Sequence, residues 1–261
     1  MTKVANAPEA HEEILMTMAT TYFTEELIAL LRIRSPLIYV TCNEEKRFLS
    51  YFKHLSVARG YRVEAWDCQR GLIDLLTGKK AKGATDDMKD NEVILEKIIE
   101  QAEKDETNEK TMQAQGIAGN VFILLDYHRF MEDALPTTER LLKRLCDIGS
   151  TTTVIIVAPS LVLTPAVENL FQVLDFPYPN KQEIGGMLDT LVDTLKDRVK
   201  GIDKEAEERR DELIQSVTGL TIDEVESAFS KSIVKHMSFN IKTITDIKKQ
   251  IISQQFRDIR E

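Results

Sequence analysis

The chain has 261 residues, 43% of them hydrophobic, which suffices for one large α/β domain or a medium domain with a small companion, and its formal net charge is −9. That charge excludes a general basic field for nucleic acid and argues against an anionic membrane surface. Cys42, Cys68 and Cys146 are odd in number, far apart and without a C-x-x-C pair, so neither a disulfide framework nor a thiolate zinc site is indicated. The first residues carry no apolar signal core, and no run approaches the roughly 20 apolar residues of a membrane span, so a soluble intracellular protein is expected.

In chain order, residues 1–20 lack strong periodicity and are expected to form an N-terminal arm, with Ile14, Leu15 and Met18 on one side. Thr24 before Glu25 and Glu26 reads as a helix start, and Leu27, Leu30 and Leu31 make its apolar stripe. The run from Pro36 to Thr41 reads as the first strand. Asn43 is then expected to cap a helix that carries Phe48, Leu49, Phe52 and Leu55. After Gly60 a second strand is predicted to Trp66, then a short helix over 72–76, then an exposed, disorder-prone loop over the Gly-, Lys- and Asp-rich residues 77–90. Val93, Ile94, Ile98 and Ala102 predict a helix that frays into loop over the polar residues 104–115.

The run from Asn120 to Asp126 holds five consecutive apolar residues and ends in a carboxylate. It predicts a strand buried on both faces, the centre of a parallel sheet. A helix follows over 136–148, a fourth strand rich in β-branched residues over 151–158, a helix start at Thr164-Pro165, and a fifth strand over 171–176. Alternation of this kind predicts a five-stranded doubly wound parallel sheet over 21–178. After Pro177-Tyr178-Pro179 only helical patterns remain, which predicts a small all-helical domain over 179–261. Asn180 with Glu183 reads as a cap pair for a helix through Lys200. Thr221 with Glu224 matches a capping box, and a last helix is expected over 241–256.

Several of these stretches resemble the AAA+ ATPase module. The run from Phe122 to Asp126 is similar to that family's third-strand hhhhDE motif, Ile156 to Ser160 to its sensor strand, and Leu174 to Pro179 to the turn before its helical lid. Val217 to Thr221, followed by Ala228-Phe229, resembles the turn before a lid helix. More closely, Phe23 to Leu27, Pro36 to Thr41, and Gly219-Leu220-Thr221 resemble the degenerate first ATPase module of a divergent AAA-type family found in plastids and bacteria. The resemblance implies a location in the cytoplasm or the plastid stroma, and relatives with a second, intact module that this chain does not contain.

Against that family the chemistry is incomplete. Thr41-Cys42-Asn43-Glu44-Glu45-Lys46-Arg47 stands where G-x-x-x-x-G-K-[ST] would be, without its glycines or its Lys-[ST] pair. Glycines there let the backbone wrap phosphates, and two carboxylates would repel them. Tyr127 stands in place of the glutamate that polarises water, and the segment from Pro165 to Phe171 holds no arginine for a neighbouring site. The resemblance leaves Asp126 as a candidate Mg²⁺ ligand, and Asp126, Lys46, Arg47 and Ser160 as candidate nucleotide contacts. The plain alternatives are a turn cap or ion pair for Asp126 and a solvated helix face for Lys46 and Arg47.

A phosphoacceptor reading of Asp126 lacks its acidic pair, because Thr41-Cys42 follow strand one, and its lysine, because Pro177 follows strand five. His11, His54, His128 and His236 have no metal-ligand spacing, and no nucleophile motif is present. Lys79, Lys80 and Lys82 read as a solvated loop and Trp66 as packing. The resulting expectation is a catalytically silent AAA+-like module acting in protein assembly, docked on itself or on an active ATPase, with no cofactor. The alternative is a divergent ATP–Mg-binding protein or part of a longer ATPase.

Overall fold

A computed structural model describes residues 21–132, 134–148 and 151–258; the expected arm over 1–20 lies outside them. The described chain divides into two units that meet in sequence between Pro177 and Tyr178.

The first unit is built on a six-stranded sheet: β1 (Leu37–Thr41), β2 (Tyr61–Asp67), β3 (Gly71–Asp74), β4 (Gly119–Leu125), β5 (Thr152–Ala158) and β6 (Gln172–Asp175). The strand order is β3-β2-β4-β5-β1-β6. All pairs are parallel except β2 with β3. The five predicted parallel strands are therefore present, with one antiparallel edge strand added. Every residue of β4 and of β5 is buried, as strands covered on both faces require.

Among the described residues the unit also has helices α1 (Thr21–Arg32), α2 (Glu45–Arg59), α3 (Asn91–Ala114) and α4 (Pro136–Asp147). Side chains alternate across a strand, so Leu37, Tyr39, Trp66, Phe122, Leu124, Val154 and Ile156 share one face and one core with Ile94, Ile98 and Ala102 of α3 and Leu142 and Leu145 of α4. The intervening strand residues Ile38, Val40, Val63 and Ala65 are equally buried. Phe23 of α1, Phe48 and Tyr51 of α2, and Phe176 form a cluster of rings 5.2–6.5 Å apart.

Several local expectations are corrected. The short helix over 72–76 is strand β3, because the Asp67 carboxylate accepts the Gln69 and Arg70 N–H groups and turns the chain back on β2. The loop over 77–90 is not wholly exposed: Ala81 and Met88 are buried, and the Trp66 indole donates to the Met88 carbonyl. Helix α3 does not fray after Lys104 but continues to Ala114, held by the buried Asp105 and Met112. No helix opens at Thr164-Pro165; its carbonyl accepts the Val167 and Glu168 N–H groups in a turn that leads to one 3₁₀ turn over Glu168–Leu170. Thr24 lies inside α1, buried and bonded by the Tyr51 hydroxyl, and Glu44 rather than Asn43 occupies the cap of α2.

Among its described residues the second unit holds five helices: α5 (Lys181–Leu195), α6 (Ile202–Glu208), α7 (Arg210–Val217), α8 (Ile222–His236) and α9 (Ile241–Asp258). Both predicted cap pairs form complete capping boxes, Asn180 with Glu183 and Thr221 with Glu224. The helix expected to reach Lys200 stops at Leu195, and Gly201, with φ +80°, starts α6. Ile184, Leu188, Leu213, Val217, Val225, Phe229, Phe239 and Ile244 form a core of its own.

Candidate functional site

In an open parallel sheet, ligands sit outside the carboxyl ends of strands where neighbouring connections run in opposite directions. Here β1 leads past β5 and β4 to β2, whereas β5 leads past β1 to β6. The residues that leave these strand ends are Thr41 and Cys42 from β1, Asp67 and Cys68 from β2, Asp126 from β4, and Pro159 and Ser160 from β5.

The β1 to α2 link is short. Only Cys42, Asn43 and Glu44 separate the strand from the helix. Two of its amides are committed: the Cys42 N–H donates to the Ala158 carbonyl, and the Cys42 sulfur accepts the Glu44 N–H at 3.2 Å. Burial pushes the Cys42 thiol up to about 11, so it stays protonated and inert at neutral pH. The Thr41 hydroxyl donates to Asp175, and the Thr41 carbonyl accepts the Phe176 N–H, which ties the β1 end to β6. A nucleotide phosphate held in the usual way needs a longer loop with free amides. It also needs positive or neutral surroundings, whereas Glu44 and Glu45 stand at this helix start. The residues present do not fit that group.

The predicted contacts are placed as follows. Arg47 is turned into the protein: its guanidinium pairs with Glu44 at 2.8 Å, lies 4.3 Å from the Phe176 ring centroid, and donates to the Pro177 carbonyl. It fastens the junction after β6. Lys46 is exposed one residue earlier. Ser160 is exposed, and its carbonyl accepts the Tyr39 hydroxyl at 2.6 Å. Asp126 adopts a left-handed backbone, φ +55°, with its side chain 68% exposed and making no cap bond to the 3₁₀ turn over Tyr127–Phe130. Tyr127, where the family motif has its glutamate, is fully buried and donates to the Asn91 carbonyl at 2.8 Å.

Asp126 has neighbours that the sequence reading did not single out. A cleft of about 440 Å³ opens beside it, walled by Leu125, Phe130 and Pro159, with Asp67, Cys68, His128 and Arg129 at its polar edge. His128 is buried, and its Nδ1 has no hydrogen-bond partner; the nearest charge is the Asp126 carboxylate, 3.8 Å away. Burial, and then the Asp126 charge, push the Glu45 carboxyl up, with Asp67 adding to the effect and Arg70 opposing it. Burial also works against the charge on Asp67, yet the Arg70 amide and guanidinium hold its carboxyl below the usual range. The available signal was that Asp67 ends β2 as Asp126 ends the adjacent β4, with His128 two residues on.

A mainly parallel sheet with this strand order, an aspartate at the end of its central strand and a helical unit after it define an AAA+-type module. The chain belongs to the SpoVK-like AAA ATPase family: the profile of that family's N-terminal domain matches residues 23–176, and the profile of its second domain matches residues 182–255. It is 28% identical over 239 residues to a protein of Trieres chinensis described as uncharacterized AAA domain-containing protein ycf46. It is 24% identical over 238 residues to the protein so described in Pyropia yezoensis. Each alignment covers 89% of this chain and 43% of the relative, so the chain spans less than half the length of the curated relatives it matches. Among solved structures, a chain of the E. coli MS115-1 HORMA:CdnC:Trip13 complex aligns at 12% identity with a TM-score of 0.48, over 95% of this chain and 89% of that one. Among the described residues no helix is long and apolar enough to cross a membrane.

Proposed function

We propose that this chain is a catalytically silent AAA+-like module that acts in protein assembly, as a structural or regulatory subunit docked on itself or on an active ATPase. One observation carries the reading: the link from β1 to α2 has three residues, with the Cys42 and Glu44 amides bonded inward and carboxylates at its helix start, while the rest of the module's architecture is retained. A fold kept without its phosphate cradle is consistent with use of its surfaces rather than of hydrolysis, and fold alone assigns no chemistry. The relatives' greater length is compatible with an active module elsewhere in a longer protein, in the cytoplasm or plastid stroma.

Family membership also brings a second reading, in which ATP with Mg²⁺ binds in a divergent way. The exposed Asp126 at the end of β4 favours it, with Lys46 and Ser160 as the remaining contacts. A thermal-shift titration with ATP and ADP, with and without Mg²⁺, separates the two, because a ligand that binds only the folded state raises the melting temperature by mass action. No shift up to millimolar nucleotide is expected. A dose-dependent rise that Asp126→Ala abolishes would replace the silent reading with the nucleotide reading.

A further inference from the structure

The helical unit presents an exposed apolar turn between lysines, and close to it a notch of the opposite charge. We propose that these two features form one docking surface for a second copy of the same chain, the two copies paired about a two-fold axis. The inference deepens the assembly reading and rests on it in one respect, that the chain docks on itself.

The apolar turn closes α8. Val234 is 81% exposed there and Met237 60%, and residues three and four apart on a helix share a face, so Lys231 and Lys235 flank Val234. Both lysines are exposed and enter no ion pair among the described residues. Residues 231–249 hold five lysines against one aspartate. Scattered exposed apolar residues are ordinary, but Met237 is not placed for the helix's sake. It ends α8 in the left-handed conformation, φ +53°, where glycine or asparagine costs less.

The notch lies where α6 meets α7, with a volume of about 490 Å³ and a lining that runs from Glu207 to Glu212. Residues 203–212 hold six carboxylates and three cations. Two of those cations are occupied within the unit, Arg209 by Glu205 and Glu212, and Arg210 by Asp189. The third, Lys204, is exposed one turn before the notch. Glu207, Glu208 and Asp211 are exposed and, like Lys231 and Lys235, enter no ion pair among the described residues.

Notch and turn adjoin. The Arg209 guanidinium donates to the Phe239 carbonyl at 3.0 Å, and Glu205 accepts the Phe239 N–H at 3.2 Å, so the α6–α7 corner is tied to the link that follows Met237. A surface negative on one side and positive on the other fits its own copy turned through half a revolution. The lysines of each copy then meet the notch of the other, and Val234 and Met237 are covered between the two charged zones. Such charges fix partner and orientation, whereas the covered apolar groups supply affinity. Complementarity within one sequence is what commits the occupant to a second copy.

The test is sedimentation of the whole chain up to millimolar protein, at low salt and at about 0.5 M NaCl, where surface charges are largely screened. One variant carries Lys231→Glu with Lys235→Glu, the other Glu207→Lys with Glu208→Lys. All four positions are exposed, so both variants are expected to fold, as circular dichroism will report. If the α8 reversal unfolds, Lys231→Gln with Lys235→Gln takes its place. The expected result is an equilibrium that stops at the dimer and is weakened about tenfold by salt and by each variant alone. Mixing the two reversed variants should restore association, because each then meets the opposite charge at both contacts. A monomer at millimolar protein, a dimer unchanged in both variants, open-ended growth, or a mixture that stays monomeric overturns the proposal. The assembly reading is decided separately. A dimer unchanged in both variants keeps self-docking through another surface, and a response to ATP in the thermal-shift titration sinks the silent module whatever the dimer does.

Discussion

Glu64 faces Asp74 directly across the antiparallel β2–β3 pair, at a cleft also lined by Arg62 and Lys82. Burial first, and then the Asp74 charge, push the Glu64 carboxyl up to about 7, while Lys97 on α3 pulls the other way. A folded-state value above that of the unfolded chain means that the fold holds an extra proton. The stabilisation is complete below the unfolded value near 4.3 and is lost as pH rises through about 7. Chemical unfolding should therefore find the protein less stable at pH 8 than at pH 5.5 through this group. Glu64→Gln should flatten that slope and gain about 1 kcal/mol at pH 8, a figure discounted for partial exposure. An unchanged slope in the variant would remove Glu64 as its source. At this scale the sequence was legible where a charge ends an apolar run, as at Asp126. It was opaque where function needs two strands side by side, because nothing local in Asp67-Cys68 or His128 says that they share one cleft.

Helix α3 makes the same point for elements. Its second half, from Lys104 on, is polar and carries little apolar periodicity, so local pattern predicts loop. In the fold Asp105 is 3% exposed and accepts hydrogen bonds from Gln101 at 2.7 Å, from Asn120 of β4 at 2.6 Å and from Thr152 of β5 at 2.6 Å. A single carboxylate thus joins the helix to the starts of two central strands, a tertiary contact that propensity does not see. Asp105→Ala removes the buried acceptor that Asn120 and Thr152 share. It should cost about 3 kcal/mol in urea unfolding, with amide exchange rising first over 104–114. A loss below about 0.5 kcal/mol, the level of an ordinary surface change, would show that water replaces the carboxylate. Where the start signal is chemical rather than periodic, the sequence served better. Both capping boxes of the helical unit form, whereas Thr164-Pro165 offered the same kind of signal with only residues 166–171 before β6 begins and made only a turn.

For the molecule as a whole, the question is whether the helical unit depends on the sheet for its stability. Its core is drawn from α5 to α9 and the links between them, with Phe229 against Phe239 at 5.5 Å and both rings fully buried. Polar contacts close the same unit on itself. Arg210 pairs with Asp189 through both guanidinium nitrogens, one at 2.9 Å, and Glu205 accepts the Phe239 N–H at 3.2 Å while pairing with Arg209 at 3.1 Å. A core contributed by five helices of one segment, each N-terminus of α5 and α8 capped from within, meets the conditions for independent folding, although at this size the margin is only a few kcal/mol. Residues 178–261 expressed alone should therefore give a helical circular dichroism spectrum and one cooperative thermal transition. Thr221→Ala in that fragment should lower its stability by about 1 kcal/mol, through the lost cap of α8. A fragment that is helical but melts without a cooperative transition would mean that this core is completed by the first unit. The two units would then have to be regarded as one folding body, and an assembly role carried by the helical unit alone would lose its footing.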